Sequence, residues 1–127
     1  MARTWRVLRL RHVPSGRVLA ERLLVPSTFV GRGLGLMFRP ALAQGQGMWI
    51  QPCNGIHMFG VRFPLDAIFL DRAERLVSAH LGLRPWRVVP FVAGSRSVVE
   101  LPAGSLSGLP LERGEQFSIE PHEAEGA

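Results

Sequence analysis

The chain has no Lys and only one Cys among its 127 residues. A single Cys excludes an internal disulfide and suits a reducing compartment. No apolar run approaches the roughly 20 residues of a membrane-spanning helix, so no span is predicted. The N-terminal segment mixes Arg with apolar side chains and lacks the apolar core of a secretory signal. We therefore predict a cytoplasmic protein.

The positive charge of the chain is carried by Arg alone and is unevenly distributed. Fifteen Arg and ten acidic residues give a net charge of +5. Residues 1–40 carry eight Arg and one Glu, whereas residues 97–127 carry one Arg and six Glu. A basic half could meet nucleic acid or an acidic partner, but no recognised nucleic-acid motif accompanies it. We therefore disfavour nucleic acid as a partner, and we interpret the charge as a solvated surface whose two ends attract each other.

The glycine and proline content indicates a β-rich fold. Fourteen Gly and ten Pro imply many turns and short elements, which favours strands over a helical bundle. A chain of this length is one domain with a real core. We predict a single domain over residues 1–127, with its core at about 5–120 and a frayed acidic tail at 121–127.

Alternation of apolar and polar residues predicts a series of strands joined by turns. The strands are expected at residues 5–13, 18–25, 48–51, 56–63, 65–70, 75–83, 95–101 and 115–120. The first two form a hairpin about the turn Pro14-Ser15-Gly16. The strand at 65–70 is apolar on both faces, so it is expected at the centre of a sheet.

One short helix is expected at Phe29–Phe38, after a capping Ser27 or Thr28. Its three Gly residues cost about 1 kcal/mol each relative to Ala, so packing must hold it. The predicted fold class is thus mainly β. It is a single antiparallel or mixed sheet, or a barrel-like domain, with one short helix packed on it.

Asp66 is the most informative polar residue. It is second in the apolar strand at 65–70, on the face of Ile68 and Leu70. A buried lone carboxylate is costly unless a cation or amide donors pair with it. One interpretation is a general base or ligand anchor in a cleft. The other, which we favour, is a structural carboxylate that binds the N–H groups of a loop or one Arg.

Four other residues join Asp66 in a candidate polar cluster, with either a ligand-binding or a structural role. They are Arg39, His57, Arg62 and Glu100. Glu100 could form a salt bridge across strands, or pair with Asp66 for acid–base hydrolysis of a sugar bond. The sequence alone does not show which of these side chains face each other.

Cys53 and His57 have a spacing that a metal site could use, but no second Cys or paired His follows to complete a zinc site. In an extended segment the two residues would lie roughly 13 Å apart. A nucleophile–base pair would therefore need a turn at Asn54-Gly55. We interpret Cys53 as a small buried hydrophobe and His57 as a core or rim histidine, and we predict no metal and no cofactor.

Three pieces of the sequence together resemble the DUF192 (UPF0127) family. They are Gly35-Leu36-Met37-Phe38-Arg39, the run from His57 to Asp71 with Pro64-Leu65-Asp66 inside it, and Val99-Glu100-Leu101-Pro102-Ala103-Gly104 followed by Gly114-Glu115. The resemblance implies a small β-rich domain. Many members are exported or membrane-anchored, and none has an assigned activity. This chain departs from the family in lacking an export signal, and the resemblance supplies no catalytic residue.

We predict a non-catalytic binding module for a small polar or anionic ligand. Its groove is expected near residues 35–39 and 57–66, and Arg39 and Arg62 would contact the ligand. An enzyme is disfavoured because the sequence yields no complete catalytic constellation.

Two alternative functions stay open at this point. The first is a hydrolase that uses Asp66 with Glu100 or His57. The second is Arg-mediated binding of nucleic acid, which would weaken steeply as the salt concentration rises.

Overall fold

A computed structural model describes residues 6–26, 42–58 and 61–122 of the chain. These residues form nine strands. They are β1 (Arg6–His12), β2 (Arg17–Val25), β3 (Gln46–Ile50), β4 (Ile56–His57), β5 (Leu65–Leu70), β6 (Leu76–Leu83), β7 (Val88–Val89), β8 (Ser97–Pro102) and β9 (Phe117–Pro121). The β-rich class predicted from the sequence is confirmed, and the helix predicted at Phe29–Phe38 lies outside the described residues.

Seven of these strands form one mixed sheet in the order β6-β5-β8-β3-β2-β1-β9. β2 and β3 run parallel, whereas the other neighbouring strands of this sheet run antiparallel. The predicted N-terminal hairpin is the β1–β2 pair. β5 lies between β6 and β8, and all six of its residues are buried. This position confirms the prediction that the doubly apolar strand is central.

The sheet curls so that its first and last strands meet at one end. A bridge between Arg75 and Gln116 joins the start of β6 to the start of β9. The backbone N–H of Leu76 donates to the Glu115 carbonyl over 2.8 Å, and that of Phe117 donates to the Glu74 carbonyl over 3.0 Å. This closure at one end gives the sheet the shape of a half-barrel.

Two hydrophobic cores lie on opposite faces of the curled sheet. The concave core receives side chains from every strand of the sheet, including Leu10, Leu23, Trp49, Ile68, Leu76, Val99 and Phe117. The outer core lies against the other face of β3, β5 and β8, and it includes Met48, Ile50, Leu65, Phe69 and Val98. Both faces of β5 are therefore covered, which explains why this strand has no polar face apart from Asp66.

A second sheet of two short strands lies over the outer core. β4 pairs with β7 through Ile56 opposite Val89 and His57 opposite Val88. Gly55 lets the two segments approach closely, because a Cβ at this position would lie 2.4 Å from the carbonyl oxygen of Pro90. The strand predicted over residues 56–63 is thus much shorter than expected, since its pairing partner is only two residues long.

Across the described ranges, no helix has the length and apolar character needed to cross a membrane.

Candidate functional site

Asp66 is almost completely buried, with 2% of its surface exposed. One carboxylate oxygen, Oδ1, accepts a hydrogen bond from the backbone N–H of Gly82 over 2.8 Å. The other, Oδ2, accepts from the N–H groups of Gly104 over 3.1 Å and Leu106 over 3.2 Å. Hydrogen bonds to an ionised acceptor are about twice as strong as neutral ones. The carboxylate therefore ties two separate segments of the chain to β5.

The first of these segments is a β-bulge in β6. Leu65 is paired with Leu83 and Ala67 with His80, so Leu81 and Gly82 together oppose Asp66. Gly82 has a φ of +64°, a left-handed conformation that favours glycine. The bulge turns the Gly82 amide toward Asp66 and leaves the Leu81 side chain 59% exposed.

The second segment is the loop that follows β8. Its amides at Gly104 and Leu106 both point to Asp66, and the Leu106 side chain is buried in the concave core. The hydroxyl of Ser105 donates to the Pro102 carbonyl over 2.6 Å and tightens the turn. Asp66 thus positions the loop that covers the concave core, which is the structural role favoured from the sequence.

Glu100 lies on the opposite face of the sheet from Asp66. In the β5–β8 register, Glu100 is opposite Ala67, whereas Asp66 is opposite Leu101. Because side chains alternate along a strand, Glu100 points into the outer core and Asp66 into the concave core. The carboxylate pair of Asp66 and Glu100 considered from the sequence is therefore not formed, because the strand register separates the two side chains.

The Glu100 carboxyl is itself in an unusual environment. It is 6% exposed, and no group within the described ranges donates a hydrogen bond to it. Burial raises its pKa from the usual 4.5 to about 7. A carboxyl with this pKa holds a proton over much of the range in which ordinary carboxyls are ionised.

The other members of the predicted cluster do not join Asp66 among the described side chains. Arg62 is exposed. His57 contributes its backbone to β4, whereas its side chain and the whole of Arg39 lie outside the described part of the structure. Among the described residues, the hydrogen-bond partners of Asp66 are backbone amides.

Cys53 lies in a partly buried turn after β3. Its thiol donates to the Gly55 carbonyl over 3.0 Å. Burial raises the pKa of the thiol, which keeps it protonated and weakly nucleophilic. Within residues 6–26, 42–58 and 61–122, no group of three or more His, Cys, Asp and Glu side chains is placed to hold a metal ion.

Several arginines near the N-terminus form ion pairs or hydrogen bonds with other parts of the domain. Arg9 and Arg11 both bind the carboxylate of Glu120, over 2.9 and 3.1 Å respectively. These arginines lower the pKa of Glu120 to about 2, with hydrogen bonding from Arg11 as the largest cause. The guanidinium of Arg17 donates to the carbonyls of Ser105 and Ser107. The two oppositely charged ends of the chain thus attract each other, as the charge distribution suggested.

A surface cavity of about 490 Å³ lies beside the bulge, between the end of β6 and β7. We call it the arginine hollow. It is lined by His80, Leu81, Gly82, Leu83, Arg84, Arg87, Val88, Val89 and Pro90. Asp66 is not part of this lining, but its bond to Gly82 holds one wall in place.

The arginine hollow is not among the sites predicted from the sequence. The signal was the run Arg84-Pro85-Trp86-Arg87, in which an aromatic residue is interleaved between two arginines. Arg84, Trp86 and Arg87 are all exposed, and residues 75–99 contain no acidic residue. The run lies between the strands predicted at residues 75–83 and 95–101, where the sequence predicts no site.

Comparison with known proteins places the chain among uncharacterised relatives. The model of the DUF192 family, described as "Uncharacterized ACR", matches residues 12–119. A UPF0127 protein from Thermococcus sibiricus is 31% identical over 117 residues, which covers 88% of this chain and 75% of the relative. A UPF0127 protein from Pyrococcus horikoshii is 33% identical over 99 residues, which covers 73% of this chain and 83% of the relative.

Two crystal structures share the fold. A protein from Sinorhizobium meliloti, named as a candidate transcription regulator, matches with a TM-score of 0.80 and 21% identity over 94% of this chain and 98% of its own. A protein of unknown function from Novosphingobium aromaticivorans matches with a TM-score of 0.73 and 24% identity, over 88% and 83% of the two chains. At these identities the likeness concerns the fold alone.

Replacing Asp66 with Asn should destabilise the domain strongly. The substitution leaves one acceptor oxygen for three backbone amides, of which one is buried and two are partly buried, and it places an NH₂ group against the amides that the other oxygen bound. We expect a loss of roughly 3–5 kcal/mol in the free energy of unfolding, measured with urea, because unsatisfied buried groups cost about 1–3 kcal/mol each. Asp71→Asn is the matched control, since Asp71 also binds two backbone amides but in a surface turn. Equal losses for the two variants would contradict the structural role of Asp66.

Replacing Glu100 with Gln should change how stability depends on pH. Below pH 4.5 the carboxyl is protonated in both the folded and unfolded states, so burial carries no ionisation penalty. As the pH rises from 4.5 to about 7 the unfolded state releases its proton first, so the free energy of unfolding falls. Above this window the loss is on the order of 3 kcal/mol. We therefore compare the free energies of unfolding in urea of Glu100→Gln and the natural protein at both pH values. The variant should be more stable relative to the natural protein at pH 8 than it is at pH 4.5.

The control for this experiment is Glu112→Gln, which removes a carboxylate from an exposed position. If Glu100→Gln and Glu112→Gln show the same difference between the two pH values, the raised pKa of Glu100 is wrong.

Proposed function

The chain belongs to the DUF192 family, and from that premise we propose that it is a non-catalytic binding module that takes a small anionic ligand in the arginine hollow. The proposal keeps the class of function predicted from the sequence. It moves the site from Arg39, Arg62 and Asp66 to the surface beside the bulge, where Arg84 and Arg87 would contact the ligand.

The observation that carries the proposal is the unopposed positive charge of the arginine hollow. Arg84 and Arg87 line it, and the described residues of its lining include no carboxylate. Within the described part of the chain, no acidic side chain lies within ion-pair distance of either guanidinium. Arg9 and Arg11, by contrast, are paired with Glu120. An arginine without an internal anion is available to a carboxylate or phosphate group from outside.

The size and the support of the cavity agree with ligand binding. A volume of about 490 Å³ lies within the range of roughly 300–1,000 Å³ that is common for small-molecule sites. One wall is the bulge, which Asp66 holds through the Gly82 amide. The opposite wall is β7, which is paired with β4. The turn that carries Arg84 and Arg87 joins these two walls, so its backbone loses less freedom when a ligand arrives.

The lining supports binding rather than catalysis. Among the described residues that line the hollow, there is no Cys, Ser, Asp or Glu side chain that could act as a nucleophile or carboxylate base. The one titratable ring, His80, lies near the Ser78 hydroxyl at 3.1 Å and packs edge-on against Phe69. These contacts give His80 a structural role in the outer core.

Neutralising the two arginines should remove anion binding. We expect inorganic phosphate to shift the backbone amide NMR signals of residues 80–90 in the natural protein, and the Arg84→Gln/Arg87→Gln double variant to lose these shifts at the same phosphate concentration. The loss follows from removing both cations while retaining polar side chains.

The matched control is Arg72→Gln/Arg113→Gln, which removes the same net charge from two other exposed arginines. It should leave the shifts in place. The proposal fails if phosphate causes no shift at residues 80–90, or if both double variants weaken the shifts equally.

A further inference from the structure

We infer that the ligand of the arginine hollow is an amphiphilic anion: one phosphate or carboxylate group joined to an alkyl or aryl part. This inference rests on the proposed function and adds the apolar half of the ligand. It is carried by the chemistry of the lining, by the position of its charged residues, and by the unusual exposure of the apolar residues around it.

The lining of the arginine hollow is mostly apolar. Besides the two arginines, His80 and Gly82, its described residues are Leu81, Leu83, Val88, Val89 and Pro90. A site for a purely polar anion such as inorganic phosphate gains nothing from aliphatic walls, because phosphate offers no apolar surface to bury. A ligand with an alkyl or aryl part would remove these walls from water and bind more tightly in proportion to the area buried.

Exposed apolar side chains are concentrated around the arginine hollow. Among the described residues, five large hydrophobic side chains are exposed, and four of them fall between positions 81 and 91. These four are Leu81, Trp86, Val88 and Phe91. Single exposed apolar residues are normal on a protein surface, whereas a cluster of them marks an interaction site.

The exposure of Leu81 follows from the bulge. Leu81 and Gly82 occupy the place opposite Asp66 where a regular strand would have one residue. The bond from Gly82 to Asp66 fixes this irregularity, so Leu81 is held on the outside with 59% of its surface exposed. The Asp66 carboxylate, which organises the domain, therefore also fixes the position of this apolar wall of the arginine hollow.

The charged and apolar parts of the lining are separated along the chain. Arg84 and Arg87 belong to the turn between β6 and β7, which is closed by a hydrogen bond from the Arg87 N–H to the Arg84 carbonyl. The aliphatic residues lie on the two segments that lead into and out of this turn. This order places a cationic end next to two apolar walls, which fits a ligand with one anionic head and one apolar tail.

The inference is tested by comparing hexyl phosphate with inorganic phosphate as NMR titration ligands, with hexyl phosphate kept at concentrations where it is monomeric. We expect hexyl phosphate to bind at least tenfold more tightly, and both compounds to shift the amide signals of residues 80–90. Leu81→Ser and Val88→Thr should each lower the affinity for hexyl phosphate at least threefold and leave the affinity for inorganic phosphate unchanged.

The matched control is Val13→Thr. Val13 is 46% exposed and Val88 is 48% exposed, but Val13 lies in the β1–β2 turn, away from the hollow. It should leave both affinities unchanged. Leu81→Ser and Val88→Thr alter exposed side chains, and the unchanged binding of inorganic phosphate verifies that the hollow is intact in both variants.

Each other outcome has a defined meaning. Equal affinities for the two ligands would overturn the amphiphilic ligand and leave the anion-binding function standing. Absence of binding by either ligand would overturn both. An advantage of hexyl phosphate that persists in Leu81→Ser and Val88→Thr would place its tail elsewhere and overturn the inference. Binding to phosphatidylglycerol vesicles without binding to monomeric hexyl phosphate would also overturn it, in favour of a membrane surface.

Discussion

The fold depends on one buried carboxylate that binds three backbone amides. Asp66 holds Gly82 of the β6 bulge with one oxygen, and Gly104 and Leu106 of the loop after β8 with the other. An apolar strand tolerates this charge because amide dipoles from two segments replace the water that burial removes. The same bonds hold the β6 edge of the sheet and the loop that covers the concave core, so one side chain organises the segments on both sides of the start of β5.

The proposed site follows from that constraint although Asp66 takes no direct part in it. The carboxylate faces the concave core, whereas the arginine hollow opens on the outside of the bulge that the carboxylate stabilises. Holding the bulge exposes Leu81 and sets the start of the turn that carries Arg84 and Arg87. The carboxylate for which the sequence allows either a structural or a catalytic role thus supports a neighbouring surface. Bulges in other proteins also occur next to functional sites, where they re-aim side chains.

Much of the fold was predictable because hydrophobic pattern determines burial. The apolar residues on both faces of β5 required a central strand. Alternation in β1 puts Leu10 and His12 on the same face, and the structure buries both. The site was harder to predict. Whether Glu100 lies on the same face of the sheet as Asp66 depends on the register between β5 and β8. A shift of one residue in this register would move Glu100 to the face of Asp66. The Asp66 partners are amides, which every residue carries, so no residue type in the sequence identifies them.

The most direct test of this account is amide hydrogen exchange at Gly82, Gly104 and Leu106 in the natural protein under native conditions. If the Asp66 carboxylate holds both segments, the three amides should exchange slowly and with similar free energies, because opening one requires breaking the structure that buries the others. Fast exchange at Gly104 and Leu106 while β5 stays protected would contradict the account, because it would show that the loop opens independently of the carboxylate.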